Sequence, residues 1–319
     1  MKRIALLGLA TAALAAASSS AWAQAYPTQR VTIVVPFTAG SITDGLARIL
    51  ADKLGELWKQ QVIVENRPGL PGTTGVAKAA PDGYTLMLTS NGHTIASSIS
   101  KSLQFDPVKD FAGVSQVAVV PLAAIVPPDL PVKSIKDFIA LANEKPGKLN
   151  FSSAGVASTT YLAGEIFKQQ AKIDIQHVPF RGAPEAVTAV VRGDVQIYFA
   201  PIPTAQELGA TNKVKVLAVN SGKRIAQLPD APTLVEAGVP GYKYDSWFGV
   251  MAPAGTPKAI LTKVSQDITK ALELPDVREK LLAQGSVPAP TTPEQFDTII
   301  RDDTERYSKI LKDAGVEPQ

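Results

Sequence analysis

Val31-Thr-Ile-Val-Val-Pro-Phe-Thr-Ala-Gly-Ser-Ile-Thr-Asp44 decides the architecture. Val31 to Val35 is a short, β-branched apolar run and reads as a buried strand. Pro36 to Gly40 turns. A helix follows with Leu46, Ile49, Leu50 and Leu54 on one face, and Ser41-x-x-Asp44 fits a capping box at its start. The first N–H groups of such a helix have no partner within it. Together with the helix dipole they make an anion site. Ser41 and Thr43 add hydroxyl donors beside Gly40. The competing reading is that Ser41 and Asp44 only cap the helix. The Gly-x4-Gly-Lys-Ser/Thr spacing of a phosphate loop is missing.

Phe151-Ser-Ser-Ala-Gly-Val-Ala-Ser-Thr-Thr160 repeats the logic. A strand runs into a small, hydroxyl-rich loop and then a helix, whose apolar face continues at Leu162 and Ile166. Alone, this too reads equally as a capped helix after a Ser-rich turn. The pair says more than either member. Facing each other across a cleft, the two junctions would hold an anion between two lobes.

Further strands are expected at Val62–Val64, Tyr84–Thr89, Leu149–Ser152, Val195–Phe199, Val214–Val219 and Phe248–Ala252. Arg67 to Thr74 reads as a loop leading into a short helix. Later helices carry punctuation: Ser134 before and Pro146-Gly147 after one, Pro184 and Gly193 around another, then Thr256-Pro257 and Thr292-Pro293 at two more starts. Strands alternating with helices give α/β with mostly parallel sheets. No internal repeat is visible. Val117 to Val126 is long for one strand and holds Pro121 in its middle, so it is expected to cross between lobes and bend there. Tyr244 to Gly249 is the expected return crossing. Two crossings make one lobe discontinuous, with 24–121 and 246–319 in the first and 122–245 in the second.

The chain has 319 residues, 45% of them hydrophobic and 19% charged, which excludes a disordered chain. With no cysteine there is no disulfide, thiol catalysis or Cys-ligated zinc, and two histidines leave little for a His-rich metal site. No metal or cofactor is expected. Lys2 and Arg3, the apolar run Ile4–Ala17 and Ala21-Trp22-Ala23 have the form of a bacterial secretory signal peptide, 1–23, cleaved after Ala23. The apolar run is shorter than the roughly 20 residues a membrane span needs. Cleavage removes two of the basic groups behind a formal charge of +3. No basic stripe for nucleic acid remains. The expected compartment is the periplasm.

Catalytic readings are poor. Ser158 lacks a Gly-x-Ser-x-Gly elbow, and no carboxylate pair stands out. His93 follows Ser90-Asn-Gly92, so a Ser/His pairing is conceivable, but a polar loop histidine or ligand contact fits better. His177 reads as a strand-end residue. Tyr242, Tyr244, Trp247 and Phe248 read as core before cleft lining.

Seven further runs, in order, carry a resemblance: Pro36-Phe37…Gly40…Asp44…Ala47-Arg48, Val64-Glu-Asn-Arg-Pro-Gly69, Ala80-Pro-Asp-Gly-Tyr-Thr-Leu86, Phe105-Asp-Pro-Val-Lys-Asp-Phe111, Pro179-Phe-Arg-Gly182, Leu228-Pro-Asp-Ala-Pro-Thr233 and Trp247-Phe-Gly249. The chain resembles the Bug-type family, the periplasmic substrate-binding proteins of tripartite tricarboxylate transporters. The resemblance implies a two-lobed periplasmic binding protein fold (type II), each lobe a mostly parallel sheet flanked by helices, with two crossing strands. It implies a monomeric receptor, not an enzyme, that closes on a small carboxylate and docks on a membrane permease or a sensor. By the same resemblance the ligand is held by backbone N–H groups, hydroxyls and water. Site residues on that basis are Phe37, Gly40, Ser41, Thr43 and Asp44, then Gly72 and Thr73, then Ser90 and Asn91. In the second lobe they are Ser153, Ala154, Gly155, Ser158, Thr159 and Tyr161, then Arg181, Gly182, Ala200 and Pro201.

The chain also departs from the family pattern. Ser41 replaces a second glycine, and Val156, Ala157 and Ala200 stand where polar or flexible residues are common. Tyr161 takes a histidine position. If those positions face the cleft it is less polar, which favours a monocarboxylate or aromatic acid. The alternatives are a periplasmic enzyme on the same fold, or a solute-sensing input protein that serves no transporter.

Overall fold

A computed structural model of the chain describes residues 26–156, 158–313 and 315–318. The expected leader lies outside the described residues. Six strands form one sheet and five form another. In the first sheet β1 (Val31–Val35) lies between β2 (Val62–Asn66) and β3 (Thr85–Ser90), parallel to both. β10 (Trp247–Pro253) separates β3 from β4 (Phe111–Val119) and is antiparallel to both. Two residues, β11 (Val287–Pro288), extend the edge beyond β4. In the second sheet β6 (Leu149–Ser153) lies between β7 (Ile175–Pro179) and β8 (Ile197–Pro201), parallel to both. β5 (Leu122–Val126) separates β8 from β9 (Lys215–Val219), antiparallel to both.

The two sheets share one plan. β2-β1-β3-β10-β4 and β7-β6-β8-β5-β9 match strand for strand. The antiparallel member comes in each case from the far side of a crossing. The sequence shows no repeat because this topology needs buried strand patterns, not matching residues.

Pro121 bends the outward crossing as its sequence suggested. The amide before it, Val120, donates to the Ser246 carbonyl at 2.9 Å, and the amide after it, Leu122, donates to Asn220 Oδ1 at 2.7 Å. Proline has no N–H to satisfy, so it sits where the ladder changes sheets. Val120 is thereby tied to the return crossing beside it.

The helix Pro293–Asp313 packs across this junction. Its Phe296 meets Trp247 edge-on at 5.1 Å between ring centres, and its Tyr307 lies 5.9 Å from Tyr244. The Trp247 indole donates to Asp303 Oδ2 at 2.7 Å. Near its end, Gln169 Nε2 of the helix Thr159–Ala171 reaches the Ile310 carbonyl at 3.5 Å. One helix thus touches both the return crossing and the helix that follows β6.

Glu165 lies on that 159–171 helix, buried, with Oε2 unpartnered among the described residues. Burial raises its pKa, with Lys168 a partial counterweight. A carboxyl with a raised folded pKa favours the folded state at low pH, and that contribution is lost as pH rises through the folded value. Glu165→Gln is therefore expected to stabilise the chain by about 1–2 kcal/mol at pH 8, with the gain shrinking toward pH 4. Urea midpoints at the two pH values check this, and a variant less stable at pH 8 contradicts it.

Candidate functional site

β1 delivers the chain to the first junction. Gly40 has φ 79°, the left-handed region that favours glycine. Ser41 caps the helix Ile42–Trp58, its Oγ accepting from the Asp44 amide at 3.2 Å. Asp44 is buried and its carboxylate is saturated. It accepts from the Gly40 amide at 2.9 Å, from Arg48 Nε at 3.1 Å and from Asn66 Nδ2 at 3.0 Å. Burial opposes its charge, but Arg48, Gly40 and Asn66 outweigh that and hold the pKa below the usual carboxylate range. Asp44 thus frames the loop instead of offering a free group to a solute. After these bonds the amides of Ile42 and Thr43 find no acceptor among the described residues. Capping and anion readings therefore coexist at one helix start.

The second junction has the same economy. Ser158 caps the helix Thr159–Ala171, accepting from the Tyr161 amide at 3.2 Å and donating to the Gly155 carbonyl at 2.6 Å. Thr160 Oγ1 accepts from the Ala154 amide at 2.9 Å, and Ser153 Oγ accepts from the Gly155 amide at 3.1 Å. The amides of Thr159 and Thr160 remain, with no acceptor among the described residues. Each junction thus leaves two helix-start amides.

Two contacts bring the sheets' strand ends together. Tyr244, in the return crossing, donates its hydroxyl to the Thr159 carbonyl at 2.7 Å and lies 3.3 Å from Asn91 Oδ1. Asn91 Nδ2 in turn donates to the Asp245 carbonyl at 3.0 Å. The end of β3 at Ser90, through Asn91 just beyond it, is therefore joined to the 159–171 helix start by the crossing. The second contact is a loop that sequence reasoning missed. A Cβ built at Gly45 would fall 3.0 Å from Gln284 Oε1, and one at Gly285 would fall 2.5 Å from Pro203 Cδ. Gln284-Gly285 thus sits between the first helix start and the helix Ile202–Ala210, which follows β8. Its only signal in sequence is a lone glycine, far along the chain from both partners.

The neighbouring wall differs in part from expectation. The helix Leu70–Ala77 begins within the stretch read as loop, so Gly72 and Thr73 are helical. Gly72 is obligatory, since a Cβ there would fall 2.0 Å from the Arg67 carbonyl oxygen. Phe37 is half-buried, and its carbonyl accepts from Asn66.

Other expected residues go elsewhere. Ala200 is fully buried among Ala123, Ala186, Ala205 and Val219, and Pro201 precedes the 202–210 helix. Tyr161 is buried beside His177 and Phe151, with ring centres at 4.6 and 6.5 Å. Arg181 is exposed and its amide donates to Glu185, while Gly182 starts the helix Ala183–Arg192 in extended backbone. The less polar cleft rested on Val156, Ala157 and Ala200. Ala200 belongs to packing and Ala157 is outside the described residues, which leaves Val156, 45% exposed.

His93 is wholly buried between Phe105 and Phe111, and its Nε2 meets the Pro107 carbonyl at 2.8 Å. Burial lowers its pKa to about 4. It is a neutral core histidine, unconnected to Ser90. Among the described residues no cluster of His, Cys, Asp or Glu is built for a metal, and no helix is long and apolar enough to cross a membrane. Two surface hollows have volumes of about 250 and 400 Å³, one around Asp297 and Arg301, the other around Phe180, Glu185 and Arg192.

Two sheets of one plan, crossed twice by the chain, with helix starts at their parallel strand ends, define the class of two-lobed solute-binding proteins. Residues 46–316 match the model of the tripartite tricarboxylate transporter family receptor. The chain belongs to this family, in its Bug-type branch, and is a solute-binding receptor and not an enzyme. It is 33% identical to Protein BugT of Bordetella pertussis, over 98% of this chain and 97% of that one. The structure of Rpa4515 from R. palustris with adipate has a TM-score of 0.83 and 34% identity, covering 92% of this chain and all of that one. The periplasmic binding protein BugD gives 0.81 and 30% over the same shares.

Proposed function

We propose that this receptor binds a small carboxylate between its two sheets and hands it to a membrane permease. The observation that carries the reading is the matched pair of helix starts. Ile42 and Thr43 on one side, Thr159 and Thr160 on the other, present amides with no acceptor among the described residues, at parallel strand ends that Tyr244 and Gln284-Gly285 hold close. A carboxylate needs such donors, and fixed N–H dipoles hold it at no reorganisation cost once water is excluded. The adipate bound to a relative supports the ligand class. Residues 24–121 with 246–319 act as one lobe and 122–245 as the other, a division that the strand membership of the sheets supports. Closure of these lobes is favoured only by the ligand's greater affinity for the closed form. Residues 1–23 direct the chain to the periplasm, where it works as a monomer.

A ligand panel tests this. Mono-, di- and tricarboxylates, with aromatic acids among them, are screened for stabilisation of the full chain. At 100 times Kd a true ligand adds about 2.7 kcal/mol. Failure of every acid to stabilise a well-folded chain defeats the carboxylate reading. The screen also ranks a monocarboxylate or aromatic acid, for which Val156 is the remaining support, against longer diacids. Deletion followed by uptake and transcription assays separates a permease partner from a sensor.

A further inference from the structure

We propose that His177 is a positioning residue for the ligand loop, fixing the Gly155 amide through the hydroxyl of Ser153; this rests on reading residues 153–158 as a wall of the carboxylate site. The Gly155 N–H donates to Ser153 Oγ at 3.1 Å, and Ser153 Oγ lies 2.7 Å from His177 Nε2. Ser153 is fully buried, so water does not replace either partner. A serine hydroxyl has one hydrogen to give. Its oxygen accepts from Gly155, and among the described residues its hydrogen has no acceptor within reach other than His177 Nε2. We therefore assign that hydrogen to Nε2, which places the ring proton on Nδ1. The chain of donation runs from Gly155 to Ser153 to His177.

The ring is held in place for this. β6 and β7 pair in register with Phe151 opposite His177 and Ser153 opposite Pro179. Phe151 and Tyr161 pack the imidazole at 4.8 and 4.6 Å between ring centres. The charged and titratable groups around it come from the 159–171 helix: Lys168 opposes a positive ring, Tyr161 is kept neutral by burial, and Glu165 acts on Tyr161. Burial and Lys168 push His177 down to about 4, so it stays an acceptor through the neutral range.

The loop needs such a brace. Gly155 has φ 111°, where no side chain restrains the backbone. Its carbonyl is fixed by Ser158 at 2.6 Å and its amide by Ser153. Its peptide orientation leads directly into the helix start that presents Thr159 and Thr160. The Ser153 and His177 pair is a strut and not a catalytic dyad, because the serine oxygen is buried away from any solute and already accepts from the Gly155 amide.

The test uses the full ¹⁵N-labelled chain without ligand. As pH falls from 7 toward 3.5, the Gly155 amide resonance is expected to follow the His177 ring titration, since a protonated Nε2 can no longer accept. Hydrogen exchange at Gly155 is expected to rise about tenfold in His177→Phe. Ser153→Ala should do the same, and the double variant should exchange no faster than Ser153→Ala alone. His177→Gln, which keeps an acceptor, should recover part of the protection. A Gly155 amide indifferent to His177 protonation overturns the proposal, and this arm needs no variant to fold. So do single-variant effects that simply add. If no carboxylate binds while Gly155 still tracks His177, the ligand reading fails and the strut stands.

Discussion

Trp247→Ala is expected to remove about 4 kcal/mol of stability, read as a lower denaturant midpoint in urea or guanidinium. Trp247 is among the largest fully buried side chains. It packs with Met87, Met251, Phe296 and Ile300 on one face of the first sheet, and truncation leaves a hole there. It also strips the indole donor from Asp303. Burial already raises the Asp303 pKa against the help of Trp247, Arg306 and Tyr307, so the carboxyl left behind loses one of the three groups that oppose its desolvation. Trp247→Phe, which keeps most of the ring, is expected to cost about half as much. A loss below about 1 kcal/mol for Trp247→Ala would mean that the C-terminal helix does not grip the return crossing in solution. The position matters for function because Trp247 is the first strand residue after the crossing, next to Ser246, which accepts from Val120 on the other crossing. The two passages between lobes are therefore one mechanical unit, with the 293–313 helix behind it.

Local rules made much of this fold readable. Ser41, Ser134 and Ser158 were legible as helix caps, and each accepts from the amide three residues on. Gly193, at φ 81°, ends its helix as punctuation suggested. Thr292 and Gln295 bond reciprocally at the start of the last helix. Pro121 located a crossing because its missing N–H forbids a central strand. What escaped was set by distant partners. The helix Pro275–Ala283 and the two residues of β11 have weak apolar patterns, and they form because β4 and the 42–58 helix offer them surfaces. The strand run expected at 195–199 instead occupies 197–201, and Gln196 just before it pairs with Asn150 twice, its amide donating to the Asn150 carbonyl at 3.0 Å and its Oε1 accepting from the Asn150 amide at 2.8 Å.

The site was readable to the same depth. Helix starts announce their free amides in sequence, because the cap residue and the following apolar periodicity fix which N–H groups lack partners. The destination of a side chain is not announced. Asp44 could cap, bind or brace, and only the approach of Arg48 and Asn66 decides for bracing. Tyr161 and Ala200 were placed by family position, yet both fill the interior of the second sheet's layers. His177 reads in sequence as a strand end, and only the pairing of β6 with β7 brings Ser153 to it. Tyr244 reads as one more buried aromatic, although its hydroxyl is what joins β3 to the second junction.

Proline at the first helical position offers the sharpest experiment on the amides themselves. Thr159→Pro is expected to weaken carboxylate binding by about 10- to 100-fold, the worth of one hydrogen bond to a charged group, while leaving the helix formed. Proline is favoured at this position because the missing N–H has no intrahelical partner to lose and its fixed φ suits the first turn. Ser158 sits at φ −96° and ψ 157°, the extended conformation that a residue before proline adopts. The Thr159 carbonyl that receives the Tyr244 hydroxyl is untouched by the change. Thr159→Ala is the control, since it removes the side chain and keeps the amide, and it should retain most of the affinity. Calorimetric titration with the best acid from the panel reads both variants, and urea unfolding verifies their stability. A proline variant that folds and binds as the alanine variant does would show that the helix start is a cap alone, and would move the search for the carboxylate to another part of the seam.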